Sequence, residues 1–187
     1  MDRWVLDGHR TKAGQALIPG TGYLEIAAEA LRANGEVGPF EINDLTFFRP
    51  LDVAEGEARP VRATLTRSDE GYGFELRSGL MHQGRLGWVL HATAALRILA
   101  EAPRRIDPGA IAARLPAPEF GEGLVSPQEH HLAFGPRWRV LRSRSVAADE
   151  GLARLVLPLP FRAEPDQGWL LHPALMDLAT GWAMELI

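Results

Sequence analysis

The chain has 187 residues, 46% hydrophobic and 24% charged, with a formal net charge of -4 and no cysteine. That composition suits a globular protein with ample material for a core, and it excludes a disulfide scaffold, a Cys-ligated zinc site and a Cys nucleophile. The mild acidity without a basic cluster argues against a nucleic-acid partner. No apolar run is long enough to cross a bilayer, and Met1-Asp2-Arg3-Trp4 opens no secretory signal, so the cytoplasm is the expected compartment.

Residues 15–18 form a short apolar run that Pro19-Gly20 stops. From Thr21 the period becomes helical. Tyr23, Leu24, Ala27, Ala28 and Leu31 share one face, Glu25, Glu29 and Arg32 fall mostly opposite, and Asn34-Gly35 is a stop signal. The spacing predicts an amphipathic helix over 21–33. From Phe40 the period drops to two, which predicts strands over 40–49, 59–68, 72–79 and 86–99. Ser68-Asp69-Glu70-Gly71 reads as a hairpin turn, and the long apolar run 86–99 suits a central strand.

Pro103, Pro108, Pro116 and Pro118 break the stretch 100–124, leaving room for a short helix within 106–115. Strands are expected over 137–147 and 151–158, with Asp149-Glu150-Gly151 as the turn between them. Pro158, Pro160 and Pro165 mark a loop. A final helix begins near Pro173, with Leu175, Met176, Ala179 and Met184 as its apolar side. One helix entered through Pro-Gly and another through His-Pro suggest two copies of a helix-plus-sheet unit.

Six histidines are present, and none has a helical metal-ligand spacing. His130-His131 diverge on any regular element and read as loop residues. His82, beside Gln83-Gly84, reads as a turn residue, and His91 in an apolar strand as a satisfied core residue. His9 precedes the Gly14 turn and the Pro19-Gly20 helix start, whose free N–H groups could hold a carbonyl oxygen while an imidazole removes a neighbouring proton. A plain loop histidine is the alternative. Asp177, among apolar neighbours one turn into a helix, is either an acid stabilised by the helix dipole or a carboxyl whose pKa burial raises. P-loop, GxGxxG and GxSxG motifs are absent, and the five tryptophans do not interleave with Lys or Arg.

Taken together, several segments resemble the dehydratase domains of modular polyketide synthases. The run from Trp4 to Glu25, with His9, Gly14 and Pro19-Gly20-Thr-Gly-Tyr23-Leu-Glu25, is similar to the family's first signature. Trp88-Val-Leu-His91-Ala92 matches its Trp-x-x-His-Ala strand. Phe134-Gly135-Pro136-Arg-Trp138 resembles Tyr-Gly-Pro-x-Phe, and His172-Pro173-Ala-Leu-Met-Asp177 matches His-Pro-Ala-Leu-Leu-Asp.

The resemblance implies an α+β double hot-dog fold, in which each of two units is a long helix wrapped by an antiparallel sheet, with the second unit incomplete. Residues 1–99 would be the N-terminal unit without its initial strands, 100–124 a linker, and 125–187 the start of the C-terminal unit. An incomplete unit would leave an open sheet edge, which predicts self-association. The implied reaction is loss of water from a β-hydroxyacyl thioester, with His9 as base and Asp177, from the second unit, as acid. Gly14, Pro19, Gly20, Phe134, Gly135, Pro136 and Gly181 are the implied substrate-binding positions. No metal or organic cofactor is required, because a phosphopantetheine arm of an acyl carrier protein presents the substrate. That carrier protein, neighbouring synthase domains and a second copy of the chain are the implied partners.

The chain departs from the family pattern at four places. Gly181 stands where a Gln or His often bonds the Asp, and Phe134 where a Tyr stands. Gly8 replaces the Asp before the His, and the His9–Gly14 spacing is one residue longer than usual. These departures keep two rivals open: a non-catalytic hot-dog module that binds acyl chain or carrier protein or holds a synthase dimer, and a double-bond isomerase.

Overall fold

The computed structural model describes residues 3–101, 104–121 and 123–184. The helices are α1 (Arg3–Asp7), α2 (Gly20–Ala33), α3 (Pro108–Ala112) and α4 (Pro173–Gly181). The strands are β1 (His9–Thr11), β2 (Phe40–Phe47), β3 (Val61–Ser68), β4 (Gly71–His82), β5 (Arg85–Ile98), β6 (Glu119–Phe120), β7 (Leu132–Phe134), β8 (Leu141–Val146) and β9 (Gly151–Leu155). All the strand pairings described are antiparallel. The chain divides into two compact units, one made of Gly22–Pro103 and the other of Met1–Thr21 together with Arg104–Ile187.

The Gly22–Pro103 unit is built from one helix and one sheet in the order β2-β5-β4-β3. Along β4 the side chains alternate, and Tyr72, Phe74, Leu76 and Ser78 are buried. The buried stripe of α2 is Tyr23, Ala27, Ala28 and Leu31. Tyr23 fixes the helix to the sheet, its ring edge-on to Phe47 at 5.2 Å and its hydroxyl accepting from the Leu51 N–H at 3.1 Å. Glu25 is also buried, although the pattern put it opposite the apolar face; the first half of α2 is enclosed on most sides and only the part beyond Glu29 has one wet face.

The register shifts between the pairs Leu76–Ala92 and Arg77–Leu90, so His91 has no partner opposite. That bulge turns His91 inward beside Ala92. His91 Nδ1 donates to the Arg49 carbonyl at 3.2 Å and Nε2 accepts from the Ser78 hydroxyl at 2.7 Å, which makes it the satisfied core histidine the pattern suggested. Gln83 and Gly84, both at positive φ, form the two-residue turn between β4 and β5. Gly71, at φ 149°, lies so close to the Leu96 carbonyl that a Cβ would collide with the oxygen.

The other unit draws on both ends of the chain. Residues 9–17 make a tight hairpin, bonded Thr11 N–H to Gln15 and Leu17 N–H to His9, with Gly14 at φ 88° in the turn. The run 15–18 is therefore the returning arm of that hairpin, bridged from Ala16 to Arg10, rather than a strand of its own. β1 pairs with β7 (His9 opposite Phe134), and β6, β8 and β9 form a separate sheet. The expected strand 137–147 begins only at Leu141, because the Gly135 C=O accepts from the Trp138 N–H and winds residues 136–138 into a 3-10 turn. β9 stops at Leu155, short of Pro158, and the helix expected within 106–115 is confined to α3.

The core here is Val5, Trp138, Val140, Leu157, Ala174 and Leu178. Its α4 contribution corrects the sequence pattern. Ala174, Asp177, Leu178 and Gly181 are the buried stripe, while Ala179 is exposed and Met184 lies beyond the helix at 48% exposure. These four fall at the spacing i, i+3, i+4, i+7. A carboxylate and a glycine on that stripe concealed it from a reading by hydrophobicity.

Candidate active site

His9 and Asp177 both belong to the unit made of Met1–Thr21 and Arg104–Ile187. β1 carries His9 inward, 6% exposed. Its Nδ1 lies 3.1 Å from the Leu17 carbonyl, across the hairpin. A carbonyl only accepts, so Nδ1 bears the proton and Nε2 presents its lone pair. That Nε2 faces Asp177 Oδ2 at 3.6 Å.

Asp177 is 4% exposed and sits at the fifth residue of α4, beyond the first turn where the helix dipole acts most strongly. Oδ2 accepts from the Trp138 indole Nε1–H at 2.8 Å, and Oδ1 lies 3.4 Å from the Gln128 amide Nε2. Burial pushes the Asp177 carboxyl up from its ordinary value, against the opposing pull of His9, Trp138 and Gln128. Burial also pushes the His9 imidazole down, against the pull of Asp177 and the Leu17 carbonyl. Both shifts favour the uncharged forms, the imidazole and the carboxylic acid.

Other sequence-selected positions fall in different places. Phe134 tilts over His9 at 5.7 Å and stacks on Trp138 at 6.1 Å. Gly135 donates its N–H to the Gly8 carbonyl at 2.8 Å, and a Cβ on Gly135 would lie 2.8 Å from the Gly8 Cα. Gly181 ends α4 directly against the Gln128 side chain. Pro19 is fully buried before α2, and Gly20 is the first, exposed residue of that helix. Gly14 is exposed at the tip of the hairpin, where its carbonyl accepts from Arg10; it shapes the turn and is not part of the buried cluster. Pro136 is exposed at the start of the 3-10 turn.

His172 precedes α4, stacked on Trp4 at 5.3 Å, with Nε2 3.2 Å from Glu164. Burial lowers its pKa despite that carboxylate. Three site groups escaped the sequence reading: the Trp138 indole, Gln128 and the Leu17 carbonyl. Trp138 had a visible signal, since it stands at the Phe position of the Gly-Pro motif. Gln128 and the Leu17 carbonyl had none. Among the described residues no group of three or more metal-ligating side chains converges, and no helix is long and apolar enough to cross a membrane.

Comparison with known proteins points one way. A family model described as "Polyketide synthase dehydratase domain" matches residues 1–79, and one described as "Polyketide synthase dehydratase N-terminal domain" matches 125–183. The chain is 29% identical over 177 residues to mycoketide-CoA synthase of Mycobacterium tuberculosis, covering 94% of this chain and 4% of that protein. The crystal structure of a trans-AT polyketide synthase dehydratase domain from Brevibacillus brevis superposes with a TM-score of 0.77 at 27% identity, covering 96% of this chain. The dehydratase domain from the CurF module of curacin polyketide synthase superposes at 0.75 with 24% identity over 94% of this chain, a likeness of fold. The chain spans 64% of each of these two solved chains. The α+β hot-dog class expected from sequence agrees with these neighbours, over part of the double hot-dog.

Proposed function

The chain belongs to the polyketide synthase dehydratase family, and from that premise we propose that it removes water from a β-hydroxyacyl thioester carried on an acyl carrier protein. The observation that supports this reading best is the buried pair of His9 Nε2 and Asp177 Oδ2, 3.6 Å apart. His9 takes the proton from the carbon next to the thioester carbonyl. The imidazolium that forms is held by the Leu17 carbonyl on its other nitrogen. Asp177 gives its proton to the departing β-hydroxyl, and water leaves as the double bond forms. Return of the proton from His9 to Asp177 resets the pair. Main-chain N–H groups near Gly20 are candidates for holding the thioester oxygen, where negative charge gathers in the transition state.

Both transfers use side chains of this chain, with the acyl group delivered on a phosphopantetheine arm. The carrier protein, neighbouring synthase domains and a second copy are the partners in this reading. The non-catalytic module is the second reading, and Phe134, which brings no hydroxyl to the pair, is the observation that favours it.

Mass spectrometry of a β-hydroxyacyl carrier protein incubated with the chain separates the two. Loss of one water, abolished in His9→Ala and in Asp177→Asn, is the expected result. An intact, folded chain that leaves every acyl length and both hydroxyl configurations untouched is the result that rejects the dehydratase in favour of the module.

A further inference from the structure

In the family pattern the acid is often bonded by a Gln or His one turn further along its own helix. Here that position is Gly181, and α4 supplies no such side chain. The space is not vacant. A Cβ at 181 would collide with the Gln128 amide, which reaches in from the 3-10 turn Pro127–His130. Ser126 anchors that arm: its hydroxyl accepts from the Gln128 N–H at 3.3 Å and lies 3.1 Å from both Gln128 Oε1 and the Gly181 carbonyl. With Oε1 directed at Ser126, the amide Nε2–H2 faces Asp177 Oδ1.

The same exchange occurs on the other oxygen. Trp138 stands where the family has Phe, and its indole N–H bonds Oδ2. The larger ring needs room, and a Cβ at position 8, where the family has Asp, would collide with the six-membered ring of Trp138. Two glycines thus lie where two larger side chains pass, and those side chains end on the two oxygens of one carboxyl.

We propose that Gln128 and Trp138 are the positioning residues of Asp177, replacing from other elements the bond that α4 no longer provides, and that Gly181 and Gly8 are what admits them. Both groups are neutral donors. They fix the rotamer of the carboxyl without adding a charge, so His9 and Asp177 stay the ionisable pair. The Trp138 bond is the shorter and more nearly ideal of the two, so its loss has the larger effect. The catalytic consequence rests on the dehydratase reading; the geometry of the clamp does not.

Two measurements on the full chain test this. In the first, indole ¹⁵N–¹H resonances of tryptophan-labelled protein are followed against pH. The Trp138 signal is expected to move as Asp177 ionises and to stay still in Asp177→Asn. A Trp138 signal with the same pH response in both proteins overturns the proposal. The second compares rates of water loss for Gln128→Ala, Gly181→Gln and the two combined. Gln128→Ala lowers the rate about threefold, the lower end of the range for one net hydrogen bond. Gly181→Gln alone is slower still, because its side chain meets Gln128. The double substitution returns the amide to α4 and recovers the rate to above that of either single change.

A double no faster than Gln128→Ala, with its unfolding midpoint unchanged, also overturns the proposal. Should Gly181→Gln fail to fold, Trp138→Phe replaces it: about a tenfold slower rate at unchanged KM is expected, and an unchanged rate contradicts the clamp. Wild-type protein that loses no water yet shows the indole response supports the clamp and rejects only the dehydratase reading.

Discussion

The Gly22–Pro103 unit and the unit made of the two chain ends solve different problems. The first is one helix and four long strands, consecutive in sequence, with a core of alternating apolar residues. Its one buried histidine is saturated by Ser78 and Arg49. The second is assembled from short pieces far apart in sequence, with an imidazole and a carboxyl among tryptophans. Regular elements bury surface economically. Short, oddly connected ones bring two titratable groups to one point, where burial can neutralise both. The first unit's buried histidine is closed off by its hydrogen bonds, and the second unit's faces a carboxyl.

That contrast can be broken or sharpened by substitution. The largest effect falls on the pair itself. His9→Ala and Asp177→Asn should each slow water loss by about 10²–10⁴-fold, the range of general acid–base catalysis, in protein that remains folded. A comparable loss from a substitution in the other unit that leaves the fold intact would erase the contrast. Next, Phe74→Ala empties the fully buried centre of that unit and should cost about 3–5 kcal/mol in urea unfolding. Ser78→Ala strands His91 Nε2 in the interior, at a cost of about 1–3 kcal/mol by the same measurement.

The pair also leaves a pH signature. Burial lowers His9 below its ordinary 6.5. As pH falls below 6.5 the unfolded chain therefore takes up this proton first, and stability is lost down to the folded-state pKa. Asp177 runs the other way. Its raised pKa keeps a proton that the unfolded chain releases above 3.8, so that contribution is present below 3.8 and lost as pH rises through the folded-state value. His9→Phe should flatten the loss below 6.5, seen in urea midpoints on either side of it. The smallest change is Arg97→Ala, which breaks an exposed bond to Glu41 and should cost under about 1 kcal/mol.

Legibility in the sequence followed the same division. Helix α2 and strands β2 to β5 were readable because their periods, 3.6 and 2, persist over many residues. The second unit gave up less. Its strands are short and joined by proline-rich connections, and the buried stripe of α4 contains Asp177 and Gly181, which no hydrophobic pattern selects. His9 and Asp177 were found through motif resemblance, since spacing alone left each with an ordinary structural alternative. Their partners were out of reach for a plainer reason. The Leu17 carbonyl belongs to the backbone, and Gln128 meets Asp177 across a gap of 49 residues. Gly181 looked like a loss because only the chain's own α4 could be consulted for a replacement.

His9 and Asp177 face each other in the buried pair, and burial pushes each toward its uncharged form. NMR of the ¹⁵N-labelled His9 ring in the wild-type chain, followed against pH, tests it most directly. The expected spectrum shows the proton on Nδ1 and a titration below the ordinary 6.5. A ring that stays cationic above 6.5 would mean a buried ion pair with no free lone pair, and a neutral ring protonated on Nε2 would turn its lone pair away from Asp177; either result contradicts the account.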